Sequence, residues 1–459
     1  MGVSLDSLQT IVGTGGVLTG DDVSARPAAW LRDDPTRARA IVRPRSTEET
    51  SRIMQACHAA GQTVVAVGGN TNLVDATITG ADDILLSMER MANIESIDTV
   101  GATMTVQAGV PLARIHEAAD DAGFAFTLDF GARGSAAIGG AISTNAGGNA
   151  VIRYGMAREQ VLGLEAVLAD GTVVSSMNRM LKNNAGYDLK QLFIGTEGTL
   201  GIITRAVLRL RPTLKSLNSA FVAVESYASI PPLLNELGAS LGGALSAFEV
   251  LWADFYDTVT ADRERHNPPF EPEYPYYVLI EARGGDQASD ASRFEAALAS
   301  ALERGLVADA AIAESGAQRQ AMWAIRDDID RLVELFDPIM AFDVSLPIGD
   351  AETYAANVNR RLRERWPDTF RGTTFGHLGD GNLHFLLTVG SADKVEQHAV
   401  MDIVYEELRP YGGSISAEHG IGLEKRDYLG HTRSDAEIEL MRSIKQAIDP
   451  KGILNPGKI

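Results

Sequence analysis

Two histidines bracket a tight turn in His377-Leu378-Gly379-Asp380-Gly381-Asn382-Leu383-His384. Asp-Gly between apolar residues is a strong two-residue hairpin signal, because both central positions of a type I′ turn need positive φ. With Asp380 and Gly381 as the loop, the spacing predicts pairing of Gly379 with Asn382, Leu378 with Leu383, and His377 with His384. Directly opposed residues share a sheet face with Cβ atoms about 5 Å apart, close enough for two imidazoles to share one divalent ion. Downstream, Ala417-Glu418-His419-Gly420 adds a carboxylate beside a third histidine. Two histidines and a carboxylate leave a coordination position open, the pattern of a catalytic rather than a structural site. Zinc suits this donor set, and manganese or cobalt also fit. The plainer alternative is an exposed polar pair. Three of only 8 histidines in these two short motifs weigh against it.

The elements that must position these groups divide by composition. At 459 residues, with 45% apolar and 22% charged residues, the chain can build two to three domains with large cores. From Ala40 to Pro212 strands and helices alternate. Strands are expected at Ala40–Arg43, Thr63–Val67, Ile84–Ser87, Thr103–Gln107, Gly163–Leu168 and Gly201–Leu210. A helix capped by Ser46 or Thr47 should run to Ala60 and stop at Gly61. From residue 213 longer helical patterns take over, including Ala317–Phe336 and Ala351–Trp366, among strands such as Tyr277–Ala282 and Ala341–Leu346. This reads as a second α+β domain with an antiparallel sheet. The expected division is 1–212, 213–415 and a last segment 416–459.

A formal charge of −20 argues against nucleic acid or an anionic membrane as partner, and an anionic substrate then needs a local cation. Cys57 is the only cysteine, so no internal disulfide forms. No signal-peptide pattern opens the chain and no apolar run is long enough to span a bilayer. A cytoplasmic location is the expectation.

Two glycine clusters lie in the first region. Gly68-Gly69-Asn70-Thr71-Asn72-Leu73 follows directly from a strand, and Gly131 to Gly148 is rich in Gly, Ala, Ser and Asn. Glycine lets backbone approach a ligand closely, and successive N–H groups form an anion nest. Neither cluster fits G-x-G-x-x-G with its later acidic residue, so a pyrophosphate-bearing cofactor bound outside a Rossmann fold is the reading.

Longer motifs join these clusters. Val42-Arg43-Pro44 through Glu49, Gly68-Gly69-Asn70-Thr71, Ile138 to Gly148, Arg153-Tyr154-Gly155 and Lys182 to Thr204 occur in order, followed by Gly376 to His384, Glu418 to Gly422, and Asn455-Pro456-Gly457-Lys458. Over roughly residues 25–459 the chain resembles the vanillyl-alcohol-oxidase-type flavoproteins, in the D-2-hydroxyglutarate and D-lactate dehydrogenase branch. The resemblance implies an α+β fold: a two-subdomain FAD-binding domain plus an α+β cap domain with an antiparallel sheet. Carried over, Gly68, Gly69, Asn70, Thr71 and Leu73 wrap the FAD pyrophosphate. Gly134, Ser135, Gly139, Gly140, Ser143, Asn145, Ala146, Gly148 and Tyr154 hold the rest of it and the flavin. Glu197, Gly198 and Ile203 lie along the adenine and ribose, and Asn455 returns to the flavin. Relatives that bind FAD covalently often carry histidine where Asn70 stands, so noncovalent FAD is expected.

The resemblance also implies an activity: oxidation of a D-2-hydroxy acid to the 2-oxo acid, with hydride passing to flavin N5. In it His377, His384 and Glu418 hold the metal, His419 is the general base, and Arg326 clamps the substrate carboxylate. The alternative for Arg326, beside Asp327 and Asp328, is a solvated ion pair on a helix. Where glutarate-specific relatives place threonine, lysine and asparagine around the distal carboxylate, this chain aligns Asp330, Ala341 and Leu386. A neutral side chain, as in D-lactate or a larger aliphatic or aromatic homologue, is therefore favoured. D-2-hydroxyglutarate, an O2-using oxidase of the same fold, a covalent-flavin carbohydrate oxidase and a noncatalytic flavin- or zinc-binding module are the alternatives. An electron-transfer flavoprotein or quinone is the expected electron acceptor, and a homodimer is left open.

Overall fold

A computed structural model describes residues 2–30, 32, 34–271 and 273–459. It divides into two compact units: 1–147, 155–213 and 418–459 in the first, and 148–154 with 214–417 in the second.

The first unit holds two sheets. In the smaller, Ala40–Val42 and Val64–Val67 both run parallel to Ile84–Ser87, which lies between them, and Val17–Leu18 pairs antiparallel at one edge. Helix Thr47–Ala60 links the two outer parallel strands. Its ends are locally encoded: the Ser46 side chain accepts from the Glu49 amide, and Gly61 closes it in a left-handed conformation (φ +63°). Beyond Val64–Val67, Leu454 bridges in parallel to Val64, with hydrogen bonds from Val64 N–H to the Ile453 carbonyl (2.8 Å) and from Asn455 N–H to the Val64 carbonyl (2.9 Å). The second sheet is antiparallel, in the order Ile94–Asp98, Thr103–Gln107, Ile202–Arg209, Val161–Val167, Val173–Ser176. One core packs against both, from Leu8 and Ile53 to Ile142, Leu208 and Ile453.

The second unit is built on one seven-stranded antiparallel sheet. Its order is Asp309–Ile312, Ser216–Val224, Tyr276–Gly284, Leu245–Trp252, Arg371–Gly376, Asn382–Thr388, Met340–Ser345. Its core is aromatic, with Phe221, Phe255, Tyr256, Tyr277 and Phe375 in one cluster.

Two sequence expectations are corrected here. The span Ala317–Phe336 is not one helix: Gly316–Asp327 and Ile329–Leu335 are separated by Asp328 (φ −77°, ψ 59°). The Asp328 side chain accepts from the Arg331 amide and starts the second helix, which competes with continuing the first. The histidine turn is not a two-residue hairpin either. Leu378–Asp380 forms a single 3-10 turn and only Gly381 has positive φ (+83°), because the Asp380 carboxylate accepts the Asn382 amide and keeps Asp380 right-handed. The register consequently places Phe375, not His377, opposite His384.

Candidate active site

Although His377 has left the ladder, the two imidazoles still meet, with ring centroids 5.3 Å apart and nearly perpendicular planes. The His377 orientation comes from Glu249, in the middle of strand Leu245–Trp252. The Nδ1–H of His377 donates to Glu249 Oε1 (2.7 Å), and Arg326 Nε donates to Oε2 (2.8 Å). An ionised carboxylate only accepts, so the neutral His377 carries its proton on Nδ1 and keeps the Nε2 lone pair for a metal. Burial pushes the Glu249 carboxyl up, but His377 and Arg326 outweigh it and hold it at about 2. Arg326 Nη2 stands 3.3 Å from His377 Nε2. Its Nη1 lies 3.8 Å from Asp327 Oδ1.

Asp343, fully buried, serves the other histidine. Its Oδ1 lies 3.7 Å from His384 Nδ1 and accepts from Asn382 Nδ2 (2.7 Å), while Oδ2 accepts from the Ala417 amide (3.1 Å). Glu418 follows Ala417 directly, so the same carboxylate that stands behind His384 fixes the backbone from which Glu418 projects. The ligand atoms of His377, His384 and Glu418 all lie within 4.8 Å of one another, with one atom from each residue. Among the described residues this is the group able to hold a metal, and its two imidazoles and carboxylate match the catalytic donor set.

Arg326 is 6% exposed, so the solvated-pair reading does not hold for it. Its guanidinium lies over the Phe375 ring (5.0 Å to the centroid), and Phe375 contacts His384 (5.1 Å between rings). Asp330, expected beside it, is exposed: the break at Asp328 separates the two residues, so no pocket acid follows from Asp330. Ala341 and Leu386 are paired across adjacent strands, two residues from Asp343 and His384, which are also paired. Alternation puts all four on one sheet face. Leu386 belongs to the aromatic core and Ala341 packs against it. The wall beside His384 is therefore apolar.

The residues expected to hold FAD are spread over both units. In the first, a Cβ on Gly69 would fall on the Ser135 carbonyl, so only glycine lets these two segments approach. Asn70 is left-handed (φ +53°) and its side chain is tied to the Pro27 carbonyl and Thr77 hydroxyl. A cavity of about 330 Å³ opens beside Gly68, Gly69 and Asn70. Thr71 and Leu73 follow in an irregular, half-buried segment, and Gly134 and Ser135 are exposed. Gly139, Gly140 and Ser143 lie in helix Ile138–Thr144, which Asn145 closes (φ +53°), with Ala146 next. This close-approach backbone fits a dinucleotide cofactor.

Other positions differ from the expectation. The Glu197 carboxylate accepts the amides of Ile421 (3.0 Å) and Gly422 (2.9 Å), so it pins the loop after His419 rather than facing a ribose. Ile203 is buried in the core. The Asn455 side chain accepts the Ala66 amide (2.8 Å) and donates to the Glu197 carbonyl beside Gly198, bracing the chain. Gly148 and Tyr154 fall in the second unit, with Arg153 between them bonded to the Ala244 and Arg283 carbonyls. His419 is half-buried in an irregular segment.

Residues 213–459 match the family model described as FAD linked oxidases, C-terminal domain, and residues 38–176 match the one described as FAD binding domain. The chain belongs to the FAD-linked oxidase family. It is 39% identical over 430 residues to the mitochondrial D-2-hydroxyglutarate dehydrogenase of Arabidopsis thaliana, covering 94% of this chain and 76% of that one. To the D-2-hydroxyglutarate dehydrogenase of Stutzerimonas stutzeri (strain A1501) it is 37% identical over 464 residues, covering 99% and 98%. Among solved structures, p-cresol methylhydroxylase aligns with TM-score 0.78 at 16% identity, covering 99% and 95%. Alkyldihydroxyacetonephosphate synthase gives 0.77 at 17%, covering 99% and 85%. These share the FAD-linked oxidase fold, an FAD-binding α+β domain and a second α+β domain.

Proposed function

We propose that the chain oxidises a D-2-hydroxy acid to the 2-oxo acid and favours substrates with a neutral side chain. The carrying observation is the buried Arg326–Glu249–His377 unit, which joins a carboxylate clamp to a metal ligand; the relatives named for a D-2-hydroxy acid support the same class. Noncovalent FAD would supply a two-electron acceptor, and His377, His384 and Glu418 would hold a divalent metal, zinc by donor type, that would supply Lewis-acid polarisation of the substrate hydroxyl. Arg326 presents a planar fork to the carboxylate. Glu249 fixes both that fork and the His377 tautomer. His419 takes the hydroxyl proton as the general base. Ala341 and Leu386 line the side-chain wall, and neither offers a hydrogen bond from its side chain to a second carboxylate. Leaving a distal carboxylate unpaired there costs about 2–3 kcal/mol, or roughly 100-fold in kcat/KM.

D-2-hydroxyglutarate itself is the second reading, favoured by the relatives' names. Steady-state turnover with an artificial electron acceptor, over D- and L-2-hydroxy acids, tests both. D-lactate or a larger neutral D-acid should exceed D-2-hydroxyglutarate. Preference for the dicarboxylate overturns the side-chain reading, and no turnover with any D-2-hydroxy acid overturns the activity. Electron-transfer flavoprotein or quinone is the proposed acceptor, and rapid H2O2 production would point instead to an oxidase.

A further inference from the structure

Glu281, on the strand next to that of Glu249, is 2% exposed. A buried carboxylate is costly unless donors meet it, and this one is met from two sides. Arg283, two residues along the same strand, donates from Nε to Oε1 (3.0 Å). The other oxygen faces a second set of groups. Trp323 Nε1 donates to Oε2 (3.0 Å), the Ser219 hydroxyl donates to it (3.3 Å), and Arg319 Nη1 lies 3.6 Å away. Trp323 and Arg319 both belong to helix Gly316–Asp327, which also carries Arg326.

That helix therefore meets the sheet at two acids. Leu279 lies opposite Glu249, and Glu281 is two residues beyond Leu279, so both acids face the same side. At about 100° per residue, Arg319, Trp323 and Arg326 fall within one stripe of the helix about 60° wide. Met322 and Ile325, beside that stripe, pack into the aromatic core. Apolar packing is not directional and tolerates a small roll or slide, whereas a hydrogen bond weakens steeply off its axis. Glu249 holds the guanidinium of Arg326 at one point, and a single point leaves the helix able to pivot about it. A second contact one turn earlier removes that freedom. From this placement we propose that Glu281 is a positioning residue for substrate binding. Through Trp323 and Arg319 it fixes the roll and height of the helix, and with them the point at which Arg326 meets the substrate carboxylate. The assignment rests on Arg326 as the carboxylate clamp. It does not depend on which D-2-hydroxy acid is oxidised.

The test uses the full-length holoenzyme, with steady-state kinetics on its best D-2-hydroxy acid beside metal retention against a chelator. Glu281→Gln should raise KM about 10-fold and change kcat less than about 2-fold, because a displaced Arg326 weakens the hold on a carboxylate that does not react. Metal retention should stay at the wild-type level, unlike that of Glu249→Gln. Trp323→Phe keeps an aromatic ring and deletes the N–H, so KM should rise about 3- to 10-fold in the same way. The double variant should show a rise close to that of Glu281→Gln alone, since both changes break one contact. Unchanged KM in Glu281→Gln overturns the proposal, and a lower melting temperature beside it would make the acid structural only. Rises that multiply in the double variant also overturn it, because Trp323 would then act independently of Glu281. Loss of metal from Glu281→Gln overturns it by placing the effect on the metal ligands. Should Glu281→Gln fail to fold, Trp323→Phe decides: a raised KM with normal kcat and metal supports the proposal, and a normal KM overturns it. Arg326→Gln isolates the reading beneath. A normal KM there overturns the clamp itself, whereas a raised KM there with a normal one in Glu281→Gln overturns only the role of Glu281.

Discussion

Glu249 in the second unit and Lys458 in the first are both nearly removed from solvent, and the chain provides for them differently. Glu249 meets Arg326 and His377, one on each oxygen, and those partners lie 77 and 128 residues away. Lys458 forms no ion pair among the described residues, and the nearby Glu197 accepts the Ile421 and Gly422 amides. Around the histidines the polar groups orient one another through side chains, as a site must when bond directions matter to reaction. Around the glycine turns the surface is backbone. In the second unit charged side chains orient one another, and in the first the glycine turns expose backbone.

The largest effects should come from cutting into the directed side of this contrast. His377→Ala and His384→Ala each remove one metal donor, and turnover should fall about 1000-fold or more. Metal analysis should show loss of the ion, while the flavin absorbance of the purified protein stays at the wild-type level. Loss of FAD together with the metal would show that the histidines also hold the cofactor. His419→Ala sharpens it further: turnover should fall about 100- to 10,000-fold as for a lost general base, with both metal and FAD retained.

Glu249→Gln should have an intermediate effect. The amide keeps the size but gives up the charge, and it can accept through only one of its two atoms, so either Arg326 or His377 loses its acceptor. Metal retention against a chelator should weaken about 10- to 100-fold, and KM for the hydroxy acid should rise with it. A variant that kept metal affinity but raised KM would confine Glu249 to the arginine. Normal values for both would leave it without a role in the site.

How much of this was legible depends on how local each signal is. Helix Thr47–Ala60 could be read because Ser46, Glu49 and Gly61 encode its ends within sixteen residues. The grouping of His377, His384 and Glu418 could be read because histidine is scarce and these cluster. Glu249 and Asp343 were missed because their partners are distant in sequence. Each nevertheless left a mark, an acid inside an otherwise apolar strand, in Phe248-Glu249-Val250 and Phe342-Asp343-Val344. Such an acid is expensive unless something charged or donating meets it. Asp330 was misplaced for the opposite reason: apolar periodicity carried a helix through Asp328, whose capping preference was the stronger local signal. The hairpin register erred in the same way, since the Asp380 side chain bonds its own backbone and stretches the turn. The burial of Lys458 carried no sequence signal beyond its place in Asn455-Pro456-Gly457-Lys458, because burial shows only in three dimensions.

Asp254 gives the smallest and most discriminating test, because it is a carboxylate of the second unit outside the site. It starts helix Ala253–Thr260 and accepts the Thr374 amide (2.9 Å). Burial raises its carboxyl to about 6, outweighing the Thr374 and Phe255 amides and the charge of Arg363. The folded value lies above the ordinary 3.8, so the folded state binds the proton more tightly than the unfolded chain does. Ionised Asp254 therefore costs stability, increasingly as pH rises from about 4 to 6 and by a constant amount above that. Asp254→Asn keeps an acceptor for Thr374 and removes that cost. Its melting temperature should exceed wild type at pH 7–8, by the equivalent of about 1–2 kcal/mol, and the advantage should vanish near pH 4. Metal content and KM should not move. If buried acids in this unit keep their charge where a cation meets them, Asp254, which accepts the Thr374 amide and forms no ion pair among the described residues, can be neutralised with a gain. A loss of stability at pH 7 would show that Asp254 is held for its charge as Glu249 is, and the contrast between directed and merely buried carboxylates would fail.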